Sequence, residues 1–223
     1  MAGFFLTLEG PEGSGKTTQI GRLAEFLRAA GLPVVATKEP GGTPTADRIR
    51  AILLDPRETN MDATTEVLLY AASRRQHVVE VIQPALETER IVICDRFTDA
   101  TLAYQGFGRL LDLDRLRTLN EWATGGLQPD LTIIFDIPEE VGLRRAQARN
   151  DAAAELAEEG RFEAEDLRFH RRVREGYLAL AIAEPGRFAI VDAAGSVDEV
   201  FDRLLRTLAQ RAPQLPLPTR PAA

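Results

Sequence analysis

The sequence has few of the residues that build disulfides and zinc sites. Its 223 residues include one cysteine, Cys94, and two histidines, His77 and His170. A single cysteine excludes a disulfide within the chain and is typical of a reducing compartment. Two histidines and one cysteine are too few for an ordinary zinc site. We therefore expect neither a structural disulfide nor such a zinc site.

The sequence also lacks an excess of positive charge and long apolar runs. Its formal net charge is −7, whereas proteins that coat nucleic acid or bind anionic membranes are usually basic. No apolar run approaches about 18 residues, the length that crosses a membrane. Met1 is not followed by the basic segment of a signal peptide. We expect no nucleic-acid partner, no membrane contact and a cytoplasmic location.

Short apolar segments alternate with longer amphipathic segments along the chain. The short segments predict strands over residues 4–8, 33–37, 90–95, 131–137 and 187–191. The longer segments predict helices after the first strand and over residues 46–54, 64–87, 112–123, 163–183 and 197–209. Apolar strands that alternate with helices indicate a parallel sheet covered on both faces. The predicted fold class is α/β, with three layers and a five-stranded parallel sheet flanked by helices.

Two segments differ from this pattern. Residues 150–160 are acidic and rich in alanine, and they are either a solvated helix extension or a mobile lid. Residues 213–223 contain four prolines and predict a disordered tail. No repeat or linker is visible, so residues 1–212 are predicted to form a single domain with a lid at about residues 149–162.

The most specific motif follows the first predicted strand and precedes a helix. Residues 10–17, GPEGSGKT, match the pattern G-x-x-x-x-G-K-[ST] of a phosphate-binding loop, or P-loop. Backbone N–H groups of such a loop surround a phosphate, the lysine contacts the outer phosphates, and the threonine hydroxyl is placed for Mg²⁺. The candidate ATP-binding residues here are Gly10, Pro11, Glu12, Gly13, Ser14, Gly15, Lys16, Thr17 and Thr18.

Three charged residues near the loop add to this site. Asp95 ends an apolar strand and could hold Mg²⁺ directly or through water, although it could equally be a turn residue. Arg96 follows at the carboxyl end of that strand, where open α/β sheets bind ligands; the alternative is an ion pair with a surface acid. Glu12 would repel a triphosphate, so it should have another partner, such as a sugar hydroxyl.

Five segments, taken in order, resemble the bacterial thymidylate kinases, a family of P-loop nucleoside monophosphate kinases. They are EGPEGSGKTT, TKEPGGTPT, LLYAASRRQH, CDRFTDATLAYQG and LQPDLTIIFDI, within a resemblance that runs from about residue 4 to residue 208. The resemblance implies phosphorylation of dTMP to dTDP by ATP with Mg²⁺, as a step in dTTP synthesis. It also implies a homodimer that pairs through the helix over residues 64–87 and its neighbour.

The resemblance assigns roles to matching positions in an acceptor site. It implies that Arg50 and Arg96 bind the acceptor phosphate, that Tyr70 stacks on thymine, and that Arg74, Thr101 and Gln105 contact polar groups of the base. Tyr104 would pack against the deoxyribose, and Glu12 would accept from a sugar hydroxyl. The dTMP-binding residues are therefore predicted to be Glu12, Glu39, Arg50, Tyr70, Arg74, Arg96, Thr101, Tyr104 and Gln105.

The sequence departs from the family in the lid. Relatives with an acidic residue in the P-loop usually carry catalytic arginines in the lid, but residues 150–160 contain no basic residue. Arginines flank this segment, so Arg149 and Arg161 are predicted to be catalytic and Arg145 to bind ATP; the alternative for Arg145 and Arg149 is ordinary surface charge on a helix. The complete catalytic set is Lys16, Asp95, Arg96, Arg149 and Arg161, with Thr17 and Asp95 for the metal.

Two other functions remain open from the residues alone. A deoxynucleoside kinase acting on thymidine would need a carboxylate base, for which Glu12 or Glu39 could serve, but two arginines for an acceptor phosphate argue against it. A non-catalytic P-loop switch would bind nucleotide without an acceptor pocket and without acceptor-dependent consumption of ATP.

Overall fold

The computed structural model describes residues 3–152, 161–162 and 164–217, with the backbone alone for residues 149–152. Five strands form one sheet: β1 (Phe4–Glu9), β2 (Val34–Lys38), β3 (Ile91–Asp95), β4 (Leu131–Asp136) and β5 (Phe188–Asp192). Their order is β2-β3-β1-β4-β5, and every pair is parallel. The predicted α/β class with a five-stranded parallel sheet is confirmed.

Helices cover both faces of the sheet. They are α1 (Lys16–Ala29), α2 (Pro44–Leu54), α3 (Ala63–His77), α4 (Gln83–Glu87), α5 (Thr98–Thr101), α6 (Leu113–Thr124), α7 (Glu139–Ala152), α8 (Leu167–Ala183) and α9 (Val197–Arg211). On one face, α1 and α9 pack on alternate residues of the strands, such as Leu6 and Ile133. On the other face, α8 and the α3–α4 region cover residues such as Phe5 and Ile134. No helix in the described part of the chain is long and apolar enough to cross a membrane.

The sheet brings the carboxyl ends of the three strands that matter for the site to one edge. Leu8 of the central strand β1 is in register with Asp95 of β3, and Asp95 is in register with Lys38 of β2. The loops that follow these strands are therefore neighbours, as expected where parallel sheets bind ligands. The P-loop follows β1, and Arg96 follows β3.

Two predicted helices differ in the structure. The helix over residues 64–87 is interrupted by a π-helical turn, Val78–Ile82, directly before α4. Pro84 in α4 has no N–H and cannot continue the regular bonding pattern, which accounts for a wider turn at this place. The helix over residues 163–183 begins later, at Leu167, because the Asp166 side chain accepts from the Phe169 N–H and caps it.

One further segment was not predicted from the sequence. Leu102–Gly108 forms a second π-helical segment, which carries Tyr104 and Gln105. Within the predicted tail, Leu215 lies in the core cluster of α1 and α9, and Leu217 packs against that cluster. Apolar side chains among the prolines supply the contacts that keep residues 213–217 in place. Residues 218–223 lie outside the described residues.

Candidate active site

One cleft at the carboxyl edge of the sheet gathers most of the predicted site residues. Its volume is about 1010 Å³, which is the upper end of the range for small-molecule sites. The predicted residues that line it are Glu12, Gly13, Ser14, Gly15, Lys16, Thr17, Thr18, Glu39, Arg50, Tyr70, Arg74, Asp95, Arg96, Thr101, Tyr104 and Gln105. Residues from the P-loop and from the predicted acceptor site therefore share one cavity.

Lys16 lies at the start of α1 and is held by the loop it follows. Its ammonium group donates to the carbonyls of Gly10 and Pro11, both at 3.0 Å, and to the Ser14 hydroxyl at 3.2 Å. The pKa of Lys16 is lowered to about 8, mainly by burial and also by the charge of Arg96, against the raising effect of Asp95. A bound phosphate would supply the negative charge that favours the ammonium form.

Thr17 and Asp95 form the predicted metal site. The Thr17 hydroxyl donates to Asp95 Oδ2 at 2.8 Å, which joins the first turn of α1 to the end of β3. Hydroxyl and carboxylate oxygens are ligands that suit Mg²⁺. No cluster of three acidic, histidine or cysteine residues occurs among the described residues. This pair therefore fits a magnesium ion that takes its remaining ligands from nucleotide phosphates and water.

Arg96 is the most connected cation of the cleft. Its Nη1 donates to Gly10 O and the Tyr177 hydroxyl, both at 3.1 Å, and its Nη2 donates to Glu12 Oε1 at 2.7 Å and the Tyr104 hydroxyl at 3.0 Å. No acceptor among the described residues is bonded to Nε. Arg96 has a φ of 68°, a conformation that residues other than glycine rarely adopt and that often marks functional sites.

Glu12 has the partner that its position in a phosphate loop requires. Its Oε1 accepts from Arg96 and, at 2.9 Å, from the Tyr104 hydroxyl. The Arg96 guanidinium also lies 4.7 Å from the centre of the Tyr104 ring, within the range of a cation–π contact. The carboxylate thus lies against a cation and a hydroxyl, on the side of the cleft that the resemblance assigns to the sugar and acceptor phosphate.

Two residues of this network were not predicted. Glu9, the last residue of β1, is fully buried and accepts from the Phe97 N–H and the Tyr177 hydroxyl, both at 2.7 Å. The pKa of Glu9 is raised to about 7, mainly by burial and also by the charge of Asp99, while Arg96 opposes the rise. The signal for Glu9 is a carboxylate in an apolar strand, because a buried charge needs partners. Tyr177 in α8 connects Glu9 to Arg96.

A second arginine that lines the cleft, Arg74, is buried. Arg74 donates from Nε to Glu39 Oε2 at 2.7 Å, from Nη1 to Asn120 Oδ1 at 2.6 Å, and from Nη2 to Phe97 O at 3.0 Å. Glu39 also bonds His77 Nδ1 at 3.0 Å. These bonds fix the guanidinium plane and leave a second N–H on each Nη atom. Asn120 was not predicted, and its place on α6 gives no local signal of a contact with α3.

Aromatic side chains form a further part of the cleft lining. Phe162 lines the cleft, with its ring centre 6.5 Å from that of Tyr70 and 5.6 Å from that of Tyr104. Thr101 Oγ1 is buried and has no hydrogen-bond partner among the described residues. Phe162 was not predicted, although it lies in the segment RFEAED that resembles the family pattern after the lid. The arrangement offers flat apolar surfaces and a few polar groups at one edge.

Of the arginines that flank the predicted lid, the described ones, Arg145 and Arg161, do not line the cleft. Arg145 donates to the Ala193 carbonyl at 3.2 Å. Arg161 donates to the Leu53 carbonyl at 3.1 Å and to Glu66 Oε2 at 2.5 Å. The side chain of Arg149 lies outside the described residues, as does most of the predicted lid.

The P-loop residues Gly10 and Pro11 contribute carbonyls that accept hydrogen bonds from Lys16, and the Gly10 carbonyl also accepts one from Arg96.

Comparison with known proteins extends over nearly the whole chain. A sequence profile described as Thymidylate kinase matches residues 8–204. Thymidylate kinases of Syntrophotalea carbinolica and Geobacter sulfurreducens are each 56% identical to this chain, covering 92% and 95% of it and 94% and 99% of their own lengths. A crystal structure of thymidylate kinase from Ehrlichia chaffeensis is similar with a TM-score of 0.74 and 32% identity, covering 93% of this chain and 100% of that one. Because the profile and the identities both span most of the sequence, the chain belongs to the thymidylate kinase family.

Proposed function

We propose that the protein transfers the γ-phosphoryl group of ATP to dTMP, forming ADP and dTDP, in the cytoplasm and as a step in dTTP synthesis. The observation that carries this proposal is the position of Arg96 and Arg50 in the same cleft as the P-loop residue Lys16. A P-loop needs one phosphate-binding place for its nucleotide. Arg50 and Arg96 supply a second phosphate-binding place in the same cleft, which suits an acceptor that itself carries a phosphate.

The main obstacle to this reaction is electrostatic. The second pKa of a phosphate monoester is roughly 6, so the acceptor is mostly ionised at neutral pH and needs little help from a general base. The donor and acceptor phosphates, both anions, must instead be aligned for transfer. Their alignment requires cations that are already positioned in the site. Lys16 would bind the donor phosphates and Arg96 the acceptor phosphate, through Nε or by exchanging one of its present partners. Arg50, which donates to Pro40 O at 2.9 Å, lies close enough to the cleft to share the acceptor phosphate.

Thr17 and Asp95 are the proposed ligands of Mg²⁺ on the donor side. When bound, the ion would neutralise charge on the donor phosphates. The present contact between the two side chains holds both oxygens at the cleft surface. Their own contribution is thus to fix the position of the ion relative to Lys16.

Acceptor recognition is proposed to divide between the two ends of the cleft. Tyr104 and Glu12 would contact the deoxyribose, and the position of Tyr104 would disfavour a 2′-hydroxyl. Tyr70 would stack on thymine, with Arg74 donating to a base carbonyl. Glu39 acts by orienting Arg74, to which it is bonded.

We also propose the single domain over residues 1–212 and a lid at about residues 149–162. Arg149 and Arg161 remain the proposed cations for the transferred phosphoryl group, and Arg145 for ATP. Arg161 would have to exchange its bond to Glu66 for one to phosphate, a movement of the segment that follows the lid. The family resemblance and the exposed apolar side chains of Leu68 and Val79 support a homodimer.

The test is ATP-dependent formation of ADP with each nucleoside monophosphate and with thymidine, in buffer with and without Mg²⁺. We expect strong turnover with dTMP, little with thymidine, and none after removal of Mg²⁺. Activity on thymidine but not on dTMP would identify a nucleoside kinase instead. ATP binding without any acceptor-dependent turnover would indicate a P-loop switch.

A further inference from the structure

The carboxylate of Glu66 in α3 is buried and accepts hydrogen bonds from three side chains, one of which, Gln105, lines the cleft. Its relative exposure is 0%. Oε1 accepts from Gln105 Nε2 at 2.7 Å, and Oε2 accepts from Arg109 Nη2 at 3.2 Å and from Arg161 Nη2 at 2.5 Å. Arg109 Nε also donates to Oε1, at 3.4 Å, so both oxygens of Glu66 accept from guanidinium N–H groups, which can only donate. Glu66 is therefore a hydrogen-bond acceptor only.

This acceptor determines which end of the Gln105 amide faces the cleft. A side-chain amide has a donor end and an acceptor end of nearly equal shape, so its orientation follows from its partners. Because Glu66 can only accept, Gln105 must turn its NH₂ group toward Glu66. Gln105 Oε1 has no hydrogen-bond partner among the described residues, and Gln105 lines the cleft. The amide thus presents an acceptor to whatever binds there.

A ligand edge that matches this arrangement can be stated from its chemistry. Gln105 Oε1 requires a donor, whereas Arg74, which lines the same cleft, offers donors. A pyrimidine with a ring N–H beside a carbonyl satisfies both. Cytosine carries a ring-nitrogen lone pair and an amino group at the corresponding positions, so it would face acceptor with acceptor and donor with donor. A buried polar group left unpaired in this way costs affinity.

We infer that Glu66 is a positioning residue for base selection: by holding the Gln105 amide in one orientation, it favours thymine-type over cytosine-type acceptors. The inference rests on the proposed function, since it concerns the base of the acceptor nucleotide. Glu66 does not touch the nucleotide and acts through Gln105. In Glu66→Gln the neighbouring amide can donate as well as accept, so Gln105 is free to turn over.

The experiment measures kcat/KM for dTMP and for dCMP at saturating ATP. We expect the dTMP/dCMP ratio of kcat/KM to fall about tenfold or more in Glu66→Gln. In the wild type the fixed Gln105 amide matches only the thymine edge, whereas in the variant the amide can turn over and match the cytosine edge as well. In the Gln105→Leu background the same substitution should leave the ratio unchanged within about twofold, as expected for residues that act through one contact. A general loss of structure would instead lower kcat/KM for both substrates by a similar factor.

Arg109→Gln is the matched control, because it removes a cation from the same cluster and keeps the bond between Glu66 and Gln105. Its dTMP/dCMP ratio should equal that of the wild type even if its thermal midpoint falls. Should Glu66→Gln not fold, the double variant Glu66→Gln/Arg109→Gln restores the balance of buried charge and takes its place.

Two results would overturn the inference. One is an unchanged ratio in a folded Glu66 variant. The other is an equal fall in the ratio with and without Gln105. Wild-type protein without turnover of dTMP would reject the proposed function itself, whereas normal wild-type turnover combined with an unchanged ratio rejects only the role of Glu66.

Discussion

At the scale of single residues, Arg96 combines a strained backbone with bonds from both Nη atoms to the P-loop and two tyrosines. We expect Arg96→Ala to lower kcat about 10²–10³-fold, since removal of one preorganised charge donor has effects of this size. Circular dichroism should still report a folded protein. Arg117→Ala, which removes an exposed ion pair with Asp114, is the control and should keep full activity. Near-normal turnover in Arg96→Ala would refute its proposed role.

Glu9 predicts a pH dependence of stability. Its pKa is raised from the ordinary 4.5 to about 7 by burial, so between these values the folded state holds a proton that the unfolded state has lost. The free energy of unfolding should therefore fall as pH rises through this window, by about 3 kcal/mol in total. Urea denaturation at several pH values measures it. The fall should be largely absent in Glu9→Gln, and an identical pH profile in that variant would contradict the assignment.

At the scale of elements, the P-loop and α7 touch through two glycines. A Cβ on Gly13 would lie 1.9 Å from the Gly142 carbonyl oxygen, and a Cβ on Gly142 would lie 2.3 Å from the Glu12 carbonyl oxygen. Gly142→Ala must therefore displace the loop that carries Glu12 and Lys16. We expect kcat/KM for ATP to fall about 10- to 100-fold, because small misplacements of a binding loop are costly.

The matched substitution for this test is Gly186→Ala, where an added Cβ has no atom within 4 Å. Its steady-state kinetics should be those of the wild type. Wild-type kinetics in Gly142→Ala as well would mean that the loop can shift without lowering kcat/KM for ATP. The backbone contact between Gly13 and Gly142 would then not be needed for ATP binding.

The C-terminal segment gives a second prediction for an element. A chain ending at residue 212 loses Leu215, which is 4% exposed in the core between α1 and α9. We expect its free energy of unfolding to be lower by about 2 kcal/mol, the value for burial of one leucine side chain. A chain ending at residue 217 should match the full-length protein in urea denaturation. Equal stability of all three chains would contradict the packing of this segment.

At the scale of the whole molecule, the proposed homodimer can be tested on α3 and the turn that follows it. Leu68 and Val79 are 54% and 45% exposed, and exposed apolar side chains of this kind are typical of a protein–protein interface. Leu68→Asp should convert a dimer to a monomer in analytical ultracentrifugation, because it buries a charge in an apolar interface. Ile182→Asp changes an equally apolar and more exposed residue on α8 and should leave the mass unchanged. A wild-type monomer would reject the dimer.

Local pattern was sufficient for the fold class and for the P-loop. The alternation of apolar strands and amphipathic helices predicts the parallel sheet, because each element must bury one face. The glycine motif predicts the P-loop for a similar reason: glycine spacing sets the local backbone. The resemblance of five short segments then led to side chains such as Arg50 and Gln105, which the structure places in one cavity.

The partners of those side chains depend on the tertiary structure. Glu9 meets Tyr177 across 168 positions, and Arg161 meets Glu66 across 95. No periodicity links residues so far apart, since their contact depends on how strands and helices are stacked. The π-helical turn at Leu102–Gly108, which aims Gln105 at Glu66, likewise results from packing. The chain thus carries the phosphate chemistry in its local motifs, whereas the orientation of its arginines and of the Gln105 amide arises only when distant elements pack together.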